Sequence, residues 1–177
     1  MTDLPIVALG NGVLRNKARK VSRIDDSIRA LVKDMIETMR EAPGVGLAAP
    51  QIGVPLQVAV VETEKDEVYV LVNPEIVKLE GEHLLDEGCL SVPGYWGKVK
   101  RAEKVTVKAR DAHGKEVRIN AAEGLLGQAL QHEIDHLNGM VYVDRLESLD
   151  DLQRTHRSAR RRSADEGGEA GEAGEAK

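Results

Sequence analysis

Apolar residues recur three and four positions apart from Ile28 through Leu31, Val32, Met35, Ile36 and Met39, which lines one face of a helix. Asp25 or Asp26 can accept the free amide protons at its start, and Pro43 with Gly44 forbids further turns. The next stretch, Gly44-Val45-Gly46-Leu47-Ala48-Ala49-Pro50-Gln51-Ile52-Gly53, has no period. Its small residues permit close backbone approach, and the expectation is an irregular binding loop around one long polar side chain, Gln51. Short β-branched runs follow at Val58 to Val61, Val68 to Val72 and Ile76 to Leu79, and at the alternating Val105, Val107 and Ala109. These predict antiparallel strands, the last turning through Asp111-Ala112-His113-Gly114 into Val117 to Ile119 as a hairpin. A second helix is expected with Asn120 as its cap, Leu126, Ala129, Leu130 and Leu137 as its apolar stripe, and Gly139 as a left-handed stop. Met140 to Val143 reads as one more short strand and Leu149 to Ser163 as a third, polar helix. The pattern is that of an α+β fold, with antiparallel strands packed around a central helix and further helices near the two ends. Residues 1–148 form the expected catalytic unit and 149–163 a basic C-terminal helix. Residues 164–177, almost all Gly, Ala and Glu, bury too little apolar area to offset the entropy of ordering, so a disordered tail is expected.

Composition narrows the picture. A chain of 177 residues suits one domain with a single core. Phenylalanine is absent, so that core must come from Leu, Ile, Val, Ala and Met. No stretch approaches the roughly 18 consecutive apolar residues of a membrane span, and Met1 to Ile6 lacks a basic region followed by an apolar run, so a cytoplasmic location without membrane association is expected. The net charge of −5 is mild but uneven: Arg154, Arg157, Arg160, Arg161 and Arg162 precede Glu166, Glu169, Glu172 and Glu175. Such a basic segment could meet ribosomal RNA phosphates, or be a solvated face. Cys89 is the only cysteine, which excludes an internal disulfide and leaves packing, reactivity or metal binding as its task.

The chemistry concentrates in Gln131-His132-Glu133-Ile134-Asp135-His136, where two imidazoles four residues apart project from one helical face within reach of a common ion. Glu133 beside them can take a proton from a water on that ion and hand it to a leaving group. Catalytic single-metal sites usually combine three protein ligands with an open position. Cys89, in Glu87-Gly88-Cys89-Leu90-Ser91, is the candidate third ligand, against the alternative of a small buried hydrophobe. Gln51 could donate to a developing oxyanion or simply bond nearby backbone. Asp135 is expected to support local backbone, with a hydrogen bond to one of the histidines as the alternative. His83, His113 and His156 stand in polar contexts without a partner at ligand spacing and are expected at the surface. Two rival readings stay open: a metallopeptidase whose third ligand is Asp144 or Glu147, and a metal serving only as a structural staple in an RNA-binding module.

Gly44 to Gln51, Glu87 to Ser91 and Gln131 to His136 together resemble, in order and spacing, the three signature motifs of the peptide deformylases, and the likeness extends in weaker form from Leu9 through Leu146. The absence of a long insertion between the first two motifs resembles the compact bacterial type. The resemblance implies hydrolysis of the formyl group from the N-terminal formylmethionine of nascent chains, with release of formate. It implies one divalent ion on Cys89, His132 and His136, ferrous iron foremost, with nickel, cobalt or zinc able to substitute. Glu133 would be general acid and base, Gln51 and the Leu90 amide would stabilise the oxyanion, and Gly46 would bind substrate backbone. Val45, Glu87, Leu125, Gln128 and Ala129 would line the methionine pocket, and Arg101 would pair with Glu87. Gln128 is more polar than the aliphatic residue often found there. The expected partners are a formylmethionyl nascent peptide and the ribosome, and the expected state is a monomer.

Overall fold

The first amphipathic segment folds as α1 (Asp26–Glu41), and the Asp25 carboxylate accepts hydrogen bonds from the Ser27 and Ile28 amides at its start. The computed structural model that shows this describes residues 4–64 and 66–155. Beyond α1, part of the stretch expected to be irregular is regular. Gly46–Ala48 is strand β1, and Ala49–Ile52 is a single 3₁₀ turn closed by Gly53 in the left-handed conformation. All three residues of β1 are buried, so their backbone groups need partners, which strand β2 (Val58–Glu64) supplies.

Strand β3 (Glu67–Glu80) joins the runs Val68 to Val72 and Ile76 to Leu79 that read as two strands. It is irregular between them, where Asn73 has φ 51° and the pairing register shifts. Asn73 also exchanges two 2.8 Å hydrogen bonds with the backbone of Val21, which pins the irregular point. Strands β4 (His83–Gly88) and β5 (Tyr95–Arg101) were not expected. In β5 the buried positions are Gly97, Val99 and Arg101, and an arginine in that alternation hides the signal of period two. Strands β6 (Lys104–Arg110) and β7 (Glu116–Ala122) form the predicted hairpin.

Among the described residues all strand pairings are antiparallel, in a five-stranded sheet of order β1-β2-β3-β6-β7 and a three-stranded sheet of order β4-β5-β8, where β8 is Gln153–Arg154. The second helix, α2 (Gly124–Leu137), packs on β1, β2 and β6. The unbroken run Val58 to Val61 now has an explanation. Val58 and Val60 join the core under α1, whereas Ala59 and Val61 join the core under α2, so both faces of β2 are covered. A third cluster, with Leu14, Val99, Val141 and Tyr142, lies against the smaller sheet. None of the described helices is long and apolar enough to cross a membrane.

Three boundaries differ from expectation. Asn120 does not cap α2, because β7 continues through Ala122, which pairs with Val105, and Glu123 takes the cap position instead. The Asn120 side chain accepts a hydrogen bond from Arg118. Met140 to Val143 is not a strand. Val141, Tyr142 and Val143 are buried in succession, which a half-exposed strand cannot achieve, and Tyr142–Arg145 forms a 3₁₀ turn closed by the Asp144 carboxylate on the Val141 amide. Leu149–Asp151, expected to open a helix, makes one 3₁₀ turn in which the Ser148 hydroxyl accepts from the Asp150 amide and the Asp151 carboxylate from the Ser148 amide, and the chain then pairs with β5 as β8. The rest of that expected helix, with the tail 164–177, lies outside the described residues.

Candidate metal centre

Helix α2 is buried from Ala129 through Leu137, so His132, Glu133 and His136 lie inside the protein and not on its surface. The 3.6-residue period puts both imidazoles on one side, and their Nε2 atoms face each other at 3.2 Å. Cys89 follows β4 directly, and its Sγ lies 3.2 Å from Nε2 of His136. The three donor atoms all fall within 4.8 Å of one another, so the residues that sequence spacing singled out do meet. A thiol and two imidazole nitrogens are a donor set suited to a divalent transition ion, and two nitrogen lone pairs approach this closely only with a cation or proton between them.

A proton on His132 can play the part of that cation, and a bound metal ion would displace it. Burial disfavours charge on His132, yet the hydrogen bonds it donates to Cys89 and Glu87 outweigh this and raise its pKa well above the usual 6.5. His136, buried and facing His132, is pushed well below that value and keeps its lone pair free. Burial also dominates at Glu133, whose pKa is pushed up to about 7 despite the attraction of His132. Among the described residues its Oε2 is buried without a hydrogen-bond partner, which leaves a carboxyl beside the three donors able to take up or release a proton near neutrality.

Of the two imidazoles His132 is held from behind, whereas Nδ1 of His136 is buried with no hydrogen-bond partner among the described residues. Nδ1 of His132 lies 2.5 Å from Oε1 of Glu87, which leaves Nε2 as the atom aimed at the cluster. Burial raises the pKa of Glu87, but hydrogen bonds from His132 and Arg101 reverse this and bring it down to about 2, so the carboxylate is charged. Arg101 grips Glu87 with both arms of its fork, at 2.5 and 3.0 Å, as the resemblance implied. Asp135 does not contact a histidine. Its carboxylate instead binds Arg101 at 2.6 Å and Arg145 at 2.5 and 2.6 Å, so the alternative of a histidine partner gives way to an ion-pair role. Arg145 had no marker in the sequence. Gln51 is fixed by the Ala48 amide, which donates to its Oε1 at 2.8 Å, so its amino group points at Ser91 Oγ (3.3 Å) and Cys89 Sγ (3.5 Å).

A cleft of about 590 Å³ opens onto Cys89, His132 and Glu133. Val45, Gly46, Glu87, Leu90, Leu125, Gln128 and Ala129 all line it. Gln128 donates to the Asp86 carbonyl at 2.9 Å, which turns its polar end toward backbone and leaves its stem to the cleft. Tyr95 and Thr155 also form walls that sequence reading missed, because β5 and β8 were not foreseen. Gly46 has a specific reason to be glycine: a Cβ there would run into the Glu133 carboxylate. The rival third ligands are elsewhere. Asp144 pairs with Arg15, and Glu147 sits exposed on Lys100. His83 and His113 make no contact with the centre, and His156 lies outside the described residues.

Residues 3–152 match the family model described as polypeptide deformylase. The chain belongs to the polypeptide deformylase family. A peptide deformylase of Dehalococcoides mccartyi is 54% identical over 148 residues, covering 83% of this chain and 88% of that one. The crystal structure of a peptide deformylase from Legionella pneumophila has 52% identity and a TM-score of 0.79, covering 82% of this chain and 87% of that one. The Synechococcus elongatus enzyme in complex with actinonin, at 44% identity, superposes with a TM-score of 0.80 over 84% of this chain and 81% of its own. As a family member the chain is a metal-dependent hydrolase of protein biosynthesis that removes the N-formyl group from nascent peptides.

Proposed function

We propose that Cys89, His132 and His136 hold one divalent ion, ferrous iron in the cell, and that the cleft above it receives the formylmethionyl end of a nascent chain. The observation that carries this is the meeting of Sγ and two Nε2 atoms beside a buried carboxyl with an unpartnered oxygen. A divalent ion held there supplies Lewis acidity, enough to bring the pKa of a water to about 7. Glu133 takes the proton of the attacking water and passes it to the departing amine, a task suited to a carboxyl that titrates near neutrality. As the formyl carbon becomes tetrahedral, negative charge collects on its oxygen. The Gln51 amino group and the Leu90 amide donate to it, and Gln51 needs no reorganisation because Ala48 already fixes it. Gly46 lies on strand β1 at the cleft and offers its backbone to the peptide. Val45, Leu125, Gln128 and Ala129 surround the methionine side chain, an unbranched thioether suited to an adaptable apolar slot, while Glu87 closes the floor.

Formate release from a formyl-Met peptide by anaerobically purified protein, with metal content measured on the same sample, tests reaction and cofactor together. Gln51→Ala is expected to keep the metal and lower kcat about 100-fold, as the loss of one oxyanion donor does. An unchanged kcat would remove Gln51 from the mechanism.

The arginines at 154, 157, 160, 161 and 162 support a further part of the reading, contact with ribosomal RNA. Co-sedimentation with ribosomes should weaken steeply with salt and disappear when the chain ends at Thr155. Equal binding by the shortened chain would reject the contact.

A further inference from the structure

Behind the metal centre runs a buried chain of alternating charge, from His132 through Glu87, Arg101 and Asp135 to Arg145. The side chains of Glu87, Arg101 and Asp135 are at most 10% exposed, whereas that of Arg145 is 35% exposed. Two carboxylates therefore share the single fully buried guanidinium, and Arg145 supplies the second positive charge. Its fork makes the two-pronged contact with Asp135, which leaves Arg101 only one bond to that carboxylate and two for Glu87. Without Arg145, Asp135 would keep one partner in a buried setting, and a poorly compensated carboxylate there competes strongly for the remaining cation. Arg101 would be drawn toward Asp135 and its grip on Glu87 would loosen. Glu87 in turn sets the orientation of the His132 ring.

We propose that Arg145 is a positioning residue of the metal centre, acting through Asp135 and Arg101 to hold Glu87 against His132. It touches none of the three donor atoms. Its place follows from the 3₁₀ turn Tyr142–Arg145, which Asp144 closes and Tyr142 anchors in the core beside the His132 ring. The proposal rests on the reading that Cys89, His132 and His136 hold the ion.

The test compares Arg145→Ala and Arg145→Lys with the parent chain, using chelator competition for Co²⁺ affinity and the visible spectrum of the Co²⁺ form, which reports ligand geometry. Arg145→Ala should bind Co²⁺ about tenfold more weakly, at the lower end of what loss of such supporting contacts does, and shift the spectrum. Arg145→Lys keeps the charge without the fork and should fall between. Arg15→Ala breaks the neighbouring exposed pair with Asp144 and serves as the control for stability alone. Native Co²⁺ affinity and an unshifted spectrum in Arg145→Ala would overturn the proposal, even if its melting temperature fell. If Arg145→Ala does not fold, Arg145→Gln, which removes the charge and the fork but keeps most of the stem, carries the same comparison. Cys89→Ala, run alongside, separates the two readings: if it retains the ion in full, the assignment of the ligands fails, whatever Arg145 does.

Discussion

Replacing Glu133 by glutamine is expected to lower kcat by about 10³-fold while leaving KM and metal content near their original values. The amide keeps the size and shape of the carboxyl but cannot take up the proton that the reaction must move. The loss belongs to kcat because proton transfer is part of the transition state and not of substrate binding. Formate release under saturating substrate, with metal analysis of the same preparation, measures both. Retention of even a tenth of the parent rate would mean that another group carries the proton.

The same variant should be more stable than the parent in metal-free form. Burial lifts the pKa of Glu133 from 4.5 to about 7, so its charge opposes folding above pH 7 and does not below 4.5. Glutamine removes that charge, and a higher melting temperature is expected at pH 8 with little difference at pH 4.5. A side chain that destabilises the fold yet sits at the reacting centre is a common mark of function.

Cys89→Ala should reduce bound metal from about one ion per chain toward none and bring formate release to background. The two imidazoles that remain on α2 cannot by themselves match a site with three protein donors. Folding should survive, because Cys89 lies only at the edge of the third core cluster and the change removes a single sulfur, at a cost of about 1 kcal/mol. Near-native circular dichroism together with loss of metal is the expected pair of results. Retention of metal at parent levels would return the third-ligand role to another residue. Asp144 and Glu147 are poor heirs, since both are engaged away from the centre.

Much of the helical framework was legible because it depends on local signals. The stripe from Ile28 to Met39 and the cap at Asp25 describe α1 almost to the residue, and the hairpin of β6 and β7 follows from its turn. Strands β4 and β5 escaped because one alternates polar with apolar residues weakly and the other buries Arg101. Arg101 reads as a solvated charge until Glu87 and Asp135 are seen on either side of it. The segment after Ser148 has helical spacing, yet the open edge of β5 offers backbone hydrogen bonds that outweigh a weak local preference.

From the sequence by itself came the two imidazoles on one helical face, the acid beside them, and a lone cysteine in a glycine-bounded segment. Each is a matter of neighbours within a few residues, where backbone geometry alone sets the spacing. Tertiary structure decided the rest: that Sγ arrives 3.2 Å from His136, that Glu87 turns the His132 ring, and that a charge chain reaches Arg145. Those contacts join residues 10 to 47 positions apart, and only the packing of α2 between sheet and loop brings them together, so no local pattern could encode them.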